Sequence, residues 1–322
     1  MTGALAPTPA PVEHTSRSQV RAAMPTLSVL TPVFRHDPSP IIDAFAKSPR
    51  SALSRMELTL LDDGSGDYPA LKRLEQSLAQ APFDASLIAW SPNQGRAKAR
   101  NRLVSTARAR HVLFLDADMI PDDAGFIGRW LALIDEKDPS AAFGGFSVAQ
   151  APVNRATALH KFVSARSDCK PASARQADAA QFTATSNLLV RNDVLAATPF
   201  DESFVGWGWE DVDWALRASR FGPIHHIDNP ATHAGLDDVP TLLRKFQQGG
   251  PNYARLADKH PDAVQNFASW KVTRILKALP GHALARPALA WLARDPLGIL
   301  PMLARHAALK LYRTSIYAEH AP

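Results

Sequence analysis

The chain predicts an α/β fold: a mostly parallel, Rossmann-like sheet flanked by helices, with a C-terminal helical extension. Three observations carry this. Short apolar runs alternate with helical patterns as far as Leu115, and such alternation implies right-handed βαβ crossovers and a parallel sheet. Conspicuous polar residues follow three of the four apolar runs, at Thr31 and Arg35, Asp62 and Asp63, and Asp116 and Asp118. They fall at the carboxyl ends of the strands, where open α/β sheets bind ligands, and their convergence predicts a nucleotide site there. From Trp270 onward, leucines and isoleucines recur among basic residues in a helix-like pattern.

Leu27 to Phe34 reads as a buried strand entering a Pro-bearing loop, and Ile41 to Lys47 as a short helix. Met56 to Leu61 is a second strand, closed by the turn signature Asp62-Asp63-Gly64-Ser65-Gly66. Leu71, Leu74 and Leu78 give Tyr68 to Gln80 a helical period. Ala85 to Trp90 is a third strand, Gln94 to Arg108 a basic helix and His111 to Leu115 a fourth strand. Beyond it, Ala141 to Phe146, Thr183 to Val190 and Ile224 to Ile227 read as strands, and Asp211 to Phe221 as a helix. Ala151 to Ala180 is polar and poorly periodic, and is expected to be a mobile acceptor-side loop. There is no internal repeat. The expected organisation is a disordered Pro/Ala/Thr-rich leader over 1–25, one domain over 26–268 and a basic amphipathic tail over 269–322.

The 322 residues carry a formal net charge of +5, and the excess is uneven. Lys271, Arg274, Lys277, Arg286, Arg294, Arg305, Lys310 and Arg313 are opposed after position 270 only by Asp295 and Glu319. Nucleic acid is a poor partner for this pattern, because the aromatics cluster with acids and not with these bases. The single cysteine, Cys169, excludes an intrachain disulfide and a cysteine-based zinc site. With no signal peptide and no run of the ~20 apolar residues that a membrane span needs, a cytoplasmic location is expected.

The richest stretch is Gly206-Trp207-Gly208-Trp209-Glu210-Asp211-Val212-Asp213-Trp214. Glycines let backbone approach a ligand closely. Tryptophans offer a flat apolar face to a sugar, and carboxylates are candidates for a general base. Trp207, Gly208, Trp209 and Glu210 are therefore expected at an acceptor, with Asp211 as the base. Trp214 is expected in the core, and helix capping is the competing role for Glu210 and Asp211. Asp116-Ala117-Asp118 presents two carboxylates at i, i+2 spacing after a buried strand, a pair able to hold Mg2+ or Mn2+ against phosphate oxygens. His233 is a further candidate ligand. In Asn93 to Asn101, a helix start bearing Arg96, Lys98 and Arg100 suits an anion.

Taken together these residues resemble family-2-type glycosyltransferases of the GT-A fold, over roughly Leu27 to Gln265. The resemblance rests on Leu-Thr-Pro-Val-Phe at 30–34, Asp62-Asp63-Gly64-Ser65, Asn93-x-Gly95-x-x-x-Ala99-Arg100-Asn101, Asp116-x-Asp118, Ser186-Asn187 and Gly206-Trp207-Gly208-x-Glu210-Asp211. The last element also resembles the acceptor motif of galactosyl- and N-acetylgalactosaminyltransferases. The resemblance implies donor contacts from Thr31, Pro32, Asp62, Asp63, Asn93, Gly95, Arg100 and Asp116. It implies metal ligation by Asp118 and His233, proton abstraction by Asp211, and inversion in one displacement. It also implies a UDP-hexose donor, with galactose or N-acetylgalactosamine as the sugar, and a cell-surface glycan or lipid-linked saccharide as acceptor. Trp209 departs from the pattern, since galactosyltransferase-like members often carry Gly there.

The tail lies outside the resemblance. It fits an amphipathic helix pair on an anionic membrane, such as the inner face of the plasma membrane. It fits equally a helical subdomain packed on the core, or a dimer contact. Two other functions compete. A nucleotidyltransferase needs a Gly-rich phosphate loop after the first strand, and Thr31-Pro32-Val33-Phe34-Arg35 has no glycine. A non-catalytic nucleotide-sugar or glycan-binding module would have no need of both acidic motifs.

Overall fold

The computed structural model describes residues 12–152 and 154–322. Its strands are β1 (Val12–Arg17), β2 (Leu27–Val33), β3 (Met56–Asp63), β4 (Asp84–Ser91), β5 (His111–Leu115), β6 (Met119–Pro121), β7 (Ala141–Phe143), β8 (Phe146–Ser147), β9 (Asn187–Arg191), β10 (Ile224–His226) and β11 (Ala231–His233). The helices are α1 (Ser39–Ala46), α2 (Arg50–Leu53), α3 (Tyr68–Ala79), α4 (Arg96–Val104), α5 (Phe126–Lys137), α6 (Ala158–Ser167) and α7 (Ala172–Arg175). They continue with α8 (Asn192–Ala197), α9 (Glu210–Ala218), α10 (Val239–Lys259), α11 (Pro261–Val264), α12 (Ala268–Lys277), α13 (Arg286–Arg294) and α14 (Met302–His320).

The main sheet runs β1-β4-β3-β2-β5-β9-β7-β10. Its centre, β4-β3-β2-β5, is parallel throughout. β9 is antiparallel to both its neighbours, and β1 is antiparallel to β4. The central strands are covered on both faces by two apolar clusters. That explains their nearly unbroken apolar sequences, since a strand with no solvated face has no place for alternation. Every residue of β3 is buried, including Glu57, Asp62 and Asp63. A small second sheet, β6-β11-β8, sits beyond the end of β5. Its antiparallel register sets His233 opposite Met119, so β11 delivers a histidine beside Asp118.

Three expectations require correction. The leader does not extend to position 25 as disordered chain: Val12–Arg17 is a strand in register with Ser86–Ser91, and Trp90 donates its indole N–H to Glu13 at 3.1 Å. Positions 1–11 of the expected leader lie outside the described residues. Ala151 to Ala180 is not one long loop. It holds α6, α7 and a 3-10 turn at Gln176–Asp178, anchored by Leu159 and Arg175, both buried. The tail is not a helix pair but three helices. Residues of α13 and α14 join α10 in a third apolar cluster, so the helical extension is packed on the body of the molecule.

α10 itself is absent from the sequence expectations. Val239, Leu242, Leu243, Phe246, Tyr253 and Leu256 give it a buried helical face, but Gly249-Gly250-Pro251 in its middle reads as a breaker. The helix continues through them because α14 crosses there. A Cβ on Gly250 would lie 2.8 Å from Ile316 and would also meet the His320 ring.

Candidate active site

The carboxyl ends of β2 to β5 and the start of α4 form one side of a cavity of about 640 Å3. The Glu202–Trp207 loop and α10 form the other side. This size suits a small-molecule ligand. Of the expected site residues, Pro32, Asp63, Asn93, Gly95, Arg100, Asp116, Asp118 and Trp207 line it. Thr31 and Asp62 do not. Thr31 is fully buried in β2, and Asp62 is turned toward Ser65, accepting from its backbone N–H and hydroxyl.

Asp63 explains how the helix start is arranged. Its carboxylate accepts from the backbone N–H of Gln94 at 2.7 Å and of Gly95 at 2.8 Å, and from the Asn93 side chain at 2.9 Å. These donors precede α4, which starts at Arg96, so Asp63 fixes the turn that leads into the helix and leaves the helix's own first N–H groups out of its contacts. Burial raises the Asp63 pKa and nearby Asp62 adds to the rise, while the two backbone donors oppose it.

Arg100, in the second turn of α4, is the centre of the site. It is 2% exposed. Its guanidinium lies 3.3 Å from Asp116, 3.5 Å from Glu210 and 3.6 Å from Asp211. Burial works against its charge, but the three carboxylates prevail and hold its pKa above the ordinary value. Glu210, expected at the acceptor, is instead a buried counter-ion of Arg100, with Arg96 at 3.9 Å.

Asp211 is a quarter exposed and sits in the first turn of α9. One oxygen accepts from the Thr185 hydroxyl at 2.8 Å. Asp211 is not among the cavity-lining residues but touches Arg100, which is. Burial first, then the charge of Glu210, pushes its pKa up to about 6, with Arg100 opposing. A carboxylate poised there is matched to accepting a proton near neutral pH.

Asp118 and His233 meet at 3.2 Å. Burial raises the Asp118 pKa, but the His233 contact outweighs it and the carboxyl is lowered to about 2. A Cβ on Gly235 would sit 2.8 Å from the Asp118 Cβ and would run into its carboxylate, so a bare backbone is needed there. Ligands at adjacent positions of an octahedral Mg2+, with bonds of about 2.1 Å, stand roughly 3 Å apart. The spacing of the pair fits two ligands of a small divalent cation, which Asp118 and His233 would hold between them. Among the described residues no cluster of three or more His, Cys, Asp or Glu is gathered as a complete ion cage.

The tryptophans divide. Trp207 lines the cavity and packs on Phe246. Gly208 is not among the lining residues. Trp209 is not an acceptor platform: its ring lies against Tyr253 and Tyr317, with centroids 4.8 and 5.7 Å away. Trp214 is fully buried, its indole N–H donated to the Thr198 carbonyl. Sequence reasoning missed Thr185, His36, Asp237, Lys245 and Gln248. Thr185 carried the weak signal of adjoining Ser186-Asn187, and the α10 residues went unread with their helix.

The strand ends thus gather a carboxylate-bound arginine and an Asp–His pair, and the first turn of α9 adds Asp211. The glycosyl transferase family 2 model matches residues 28–197, more than half of the chain, and the chain belongs to that family as a glycosyltransferase. The fold is similar to a mannosyltransferase, PcManGT, from Pyrobaculum calidifontis, solved in complex with GDP-Man and Mn2+. The TM-score is 0.55 at 16% identity, over 94% of this chain and 90% of that one. TarS 1–349 of S. aureus, in complex with UDP-GlcNAc, gives a TM-score of 0.47 at 15% identity, covering 90% of each chain. No curated protein sequence matches.

Proposed function

We propose that this protein is a metal-dependent, inverting hexosyltransferase, with a UDP-hexose such as UDP-galactose or UDP-N-acetylgalactosamine as donor. The acceptor is a cell-surface glycan precursor or lipid-linked saccharide. The observation that carries this reading is the buried Arg100, whose guanidinium bridges Asp116, just after β5, and the base candidate Asp211, both partly exposed.

The acceptor hydroxyl oxygen attacks the anomeric carbon while Asp211 takes its proton. The bond from that carbon to the diphosphate oxygen breaks, and UDP departs with the electron pair. One displacement inverts the anomeric centre, and the Asp211 proton passes to solvent afterwards. Thr185 orients the Asp211 carboxylate. Asp118 and His233 would hold Mn2+ or Mg2+, which supplies positive charge to the leaving diphosphate when bound. Trp207 provides the apolar face for the acceptor sugar.

The galactosyltransferase-like motif at 206–211 supports the choice of sugar and nucleotide. The tail supports an acceptor held at an anionic membrane surface on the cytoplasmic side. Ile275, Leu284, Leu297, Ile299 and Leu303 are turned outward, each more than 60% exposed. No helix of the described residues is long and apolar enough to cross a membrane.

A thermal-shift panel of UDP-, GDP- and TDP-sugars, with Mn2+ and with chelator, tests the reading. A ligand that binds only the native state raises Tm. One UDP-hexose should stabilise in Mn2+ and lose its effect in chelator. Stabilisation by GDP-sugars alone would overturn the donor, and equal stabilisation in chelator would overturn the metal.

A further inference from the structure

Trp209 stands immediately before Glu210 and Asp211, and its backbone is left-handed, at φ 76 and ψ −12. A side chain other than glycine rarely occupies that region. It persists only where the surroundings impose it, and such residues gather at functional sites. Glycine, which galactosyltransferase-like enzymes often carry at this place, adopts the conformation freely. Here the conformation must be held from outside.

The holding groups come from α10 and from α14 of the helical extension. The Trp209 indole N–H donates to the Tyr317 hydroxyl at 3.3 Å. Its ring packs on Tyr253, which in turn stacks on Tyr317 with centroids 4.3 Å apart. On the other side of the loop, the Asn252 amide donates to the Val205 carbonyl at 3.0 Å. Tyr317 belongs to a turn of α14 that two outer elements grip. Arg286 donates to the Ser315 carbonyl at 2.7 Å, and Lys277 to the Ala321 carbonyl at 2.7 Å.

We propose that the Trp209–Tyr317–Tyr253 cluster is a positioning device for transfer. The helical extension, through α14, fixes the residue just before Glu210 and Asp211 and so aims Asp211 at the acceptor hydroxyl. Trp209 and Tyr317 are positioning residues and touch no substrate. This rests on the assignment of Asp211 as base. Misplacing a reacting group by about 1 Å from afar costs about a hundredfold in rate, so rigid placement here bears on kcat and not on the donor site.

The test compares Tyr317→Phe, Trp209→Phe, Trp209→Gly and Tyr312→Phe by kcat and KM for acceptor, UDP affinity in Mn2+, and Tm. Tyr312→Phe is the control. It deletes a hydroxyl on the same helix, one that accepts from Gln247 at 2.9 Å and has no link to the loop. Expected are a kcat loss of about a hundredfold for Trp209→Gly, a smaller loss for Tyr317→Phe, partial rescue by Trp209→Phe, and wild-type UDP affinity in all four. Tyr312→Phe should keep wild-type kcat. If Tyr317→Phe and Trp209→Gly lower Tm but match Tyr312→Phe in kcat, the cluster is only structural and the proposal falls. Asp211→Asn, measured alongside, separates the two readings. Its loss of turnover together with normal turnover in Trp209→Gly overturns the positioning role alone. Retained turnover in Asp211→Asn overturns the base assignment and the proposal with it.

Discussion

The proposed donor side and the proposed acceptor side of the site are built differently. On the donor side, Pro32, Asp63, Asn93, Asp116 and Asp118 stand at or just after the ends of adjacent strands. Backbone pairing places them, and little beyond the sheet register is required. On the acceptor side, Asp211 is held by Thr185 from the segment before β9, Arg100 from α4, and a loop pinned by α10 and α14. Backbone register builds one side, whereas side-chain contacts from separate elements build the other. Substitutions on the donor side should therefore act on binding, and those on the acceptor side on turnover.

Asp211→Asn gives the largest effect and the sharpest form of this contrast. A general base contributes about 10^2 to 10^4 in rate, so kcat should fall by that order while UDP affinity in Mn2+ stays at wild type. Equal loss of both would dissolve the distinction. Next comes Arg100→Met, which joins the two sides. It leaves three carboxylates facing one another without their cation, and breaking a buried ion pair costs about 3–5 kcal/mol. Urea unfolding should show a loss of that order, and an unchanged midpoint would mean that water already screens the group.

Asp118→Ala should weaken Mn2+-dependent UDP binding by about 10- to 100-fold, and lower the Tm of the ligand-free protein slightly through loss of the His233 contact. Titration calorimetry with and without chelator measures it, and full affinity in Mn2+ would remove Asp118 as a ligand. The smallest effect is a shift in pH dependence. The Asp211 pKa is pushed up to about 6, so kcat should fall below about that pH as the base is protonated. Burial and Glu210 both raise that pKa. Glu210→Gln removes one raising charge and should move the acid limb to lower pH. A limb that moves upward would show that Glu210 acts mainly by holding Arg100 in place.

The same contrast decides what the sequence revealed. β3 and β5 are largely apolar runs followed by acids, so the sheet and the cavity-lining Asp63, Asp116 and Asp118 are legible, whereas Thr31 and Asp62, expected beside them, do not line the cavity. β1 was not legible, because Val-Glu-His-Thr-Ser-Arg has almost no apolar content and its pairing with β4 is set by the partner strand. α10 was hidden by Gly249-Gly250-Pro251, where Gly250 is demanded by the crossing of α14 and Gly249 lies against Trp207, and neither makes a turn. Trp209 and Glu210 were read as acceptor groups because composition reports what a side chain can do, not which way it points. Their partners, Tyr317 and Arg100, lie about a hundred residues away in opposite directions.

Arg100 also sets a lower limit on how the chain can be divided. The family-matched segment ends at 197, whereas two of the three anions around this guanidinium, Glu210 and Asp211, arrive after that point. A polypeptide stopped at 197 would contain all the strands of the parallel centre, yet would carry a buried cation with a single counter-charge. Modular exchange of donor halves between relatives must therefore move α9 together with α4.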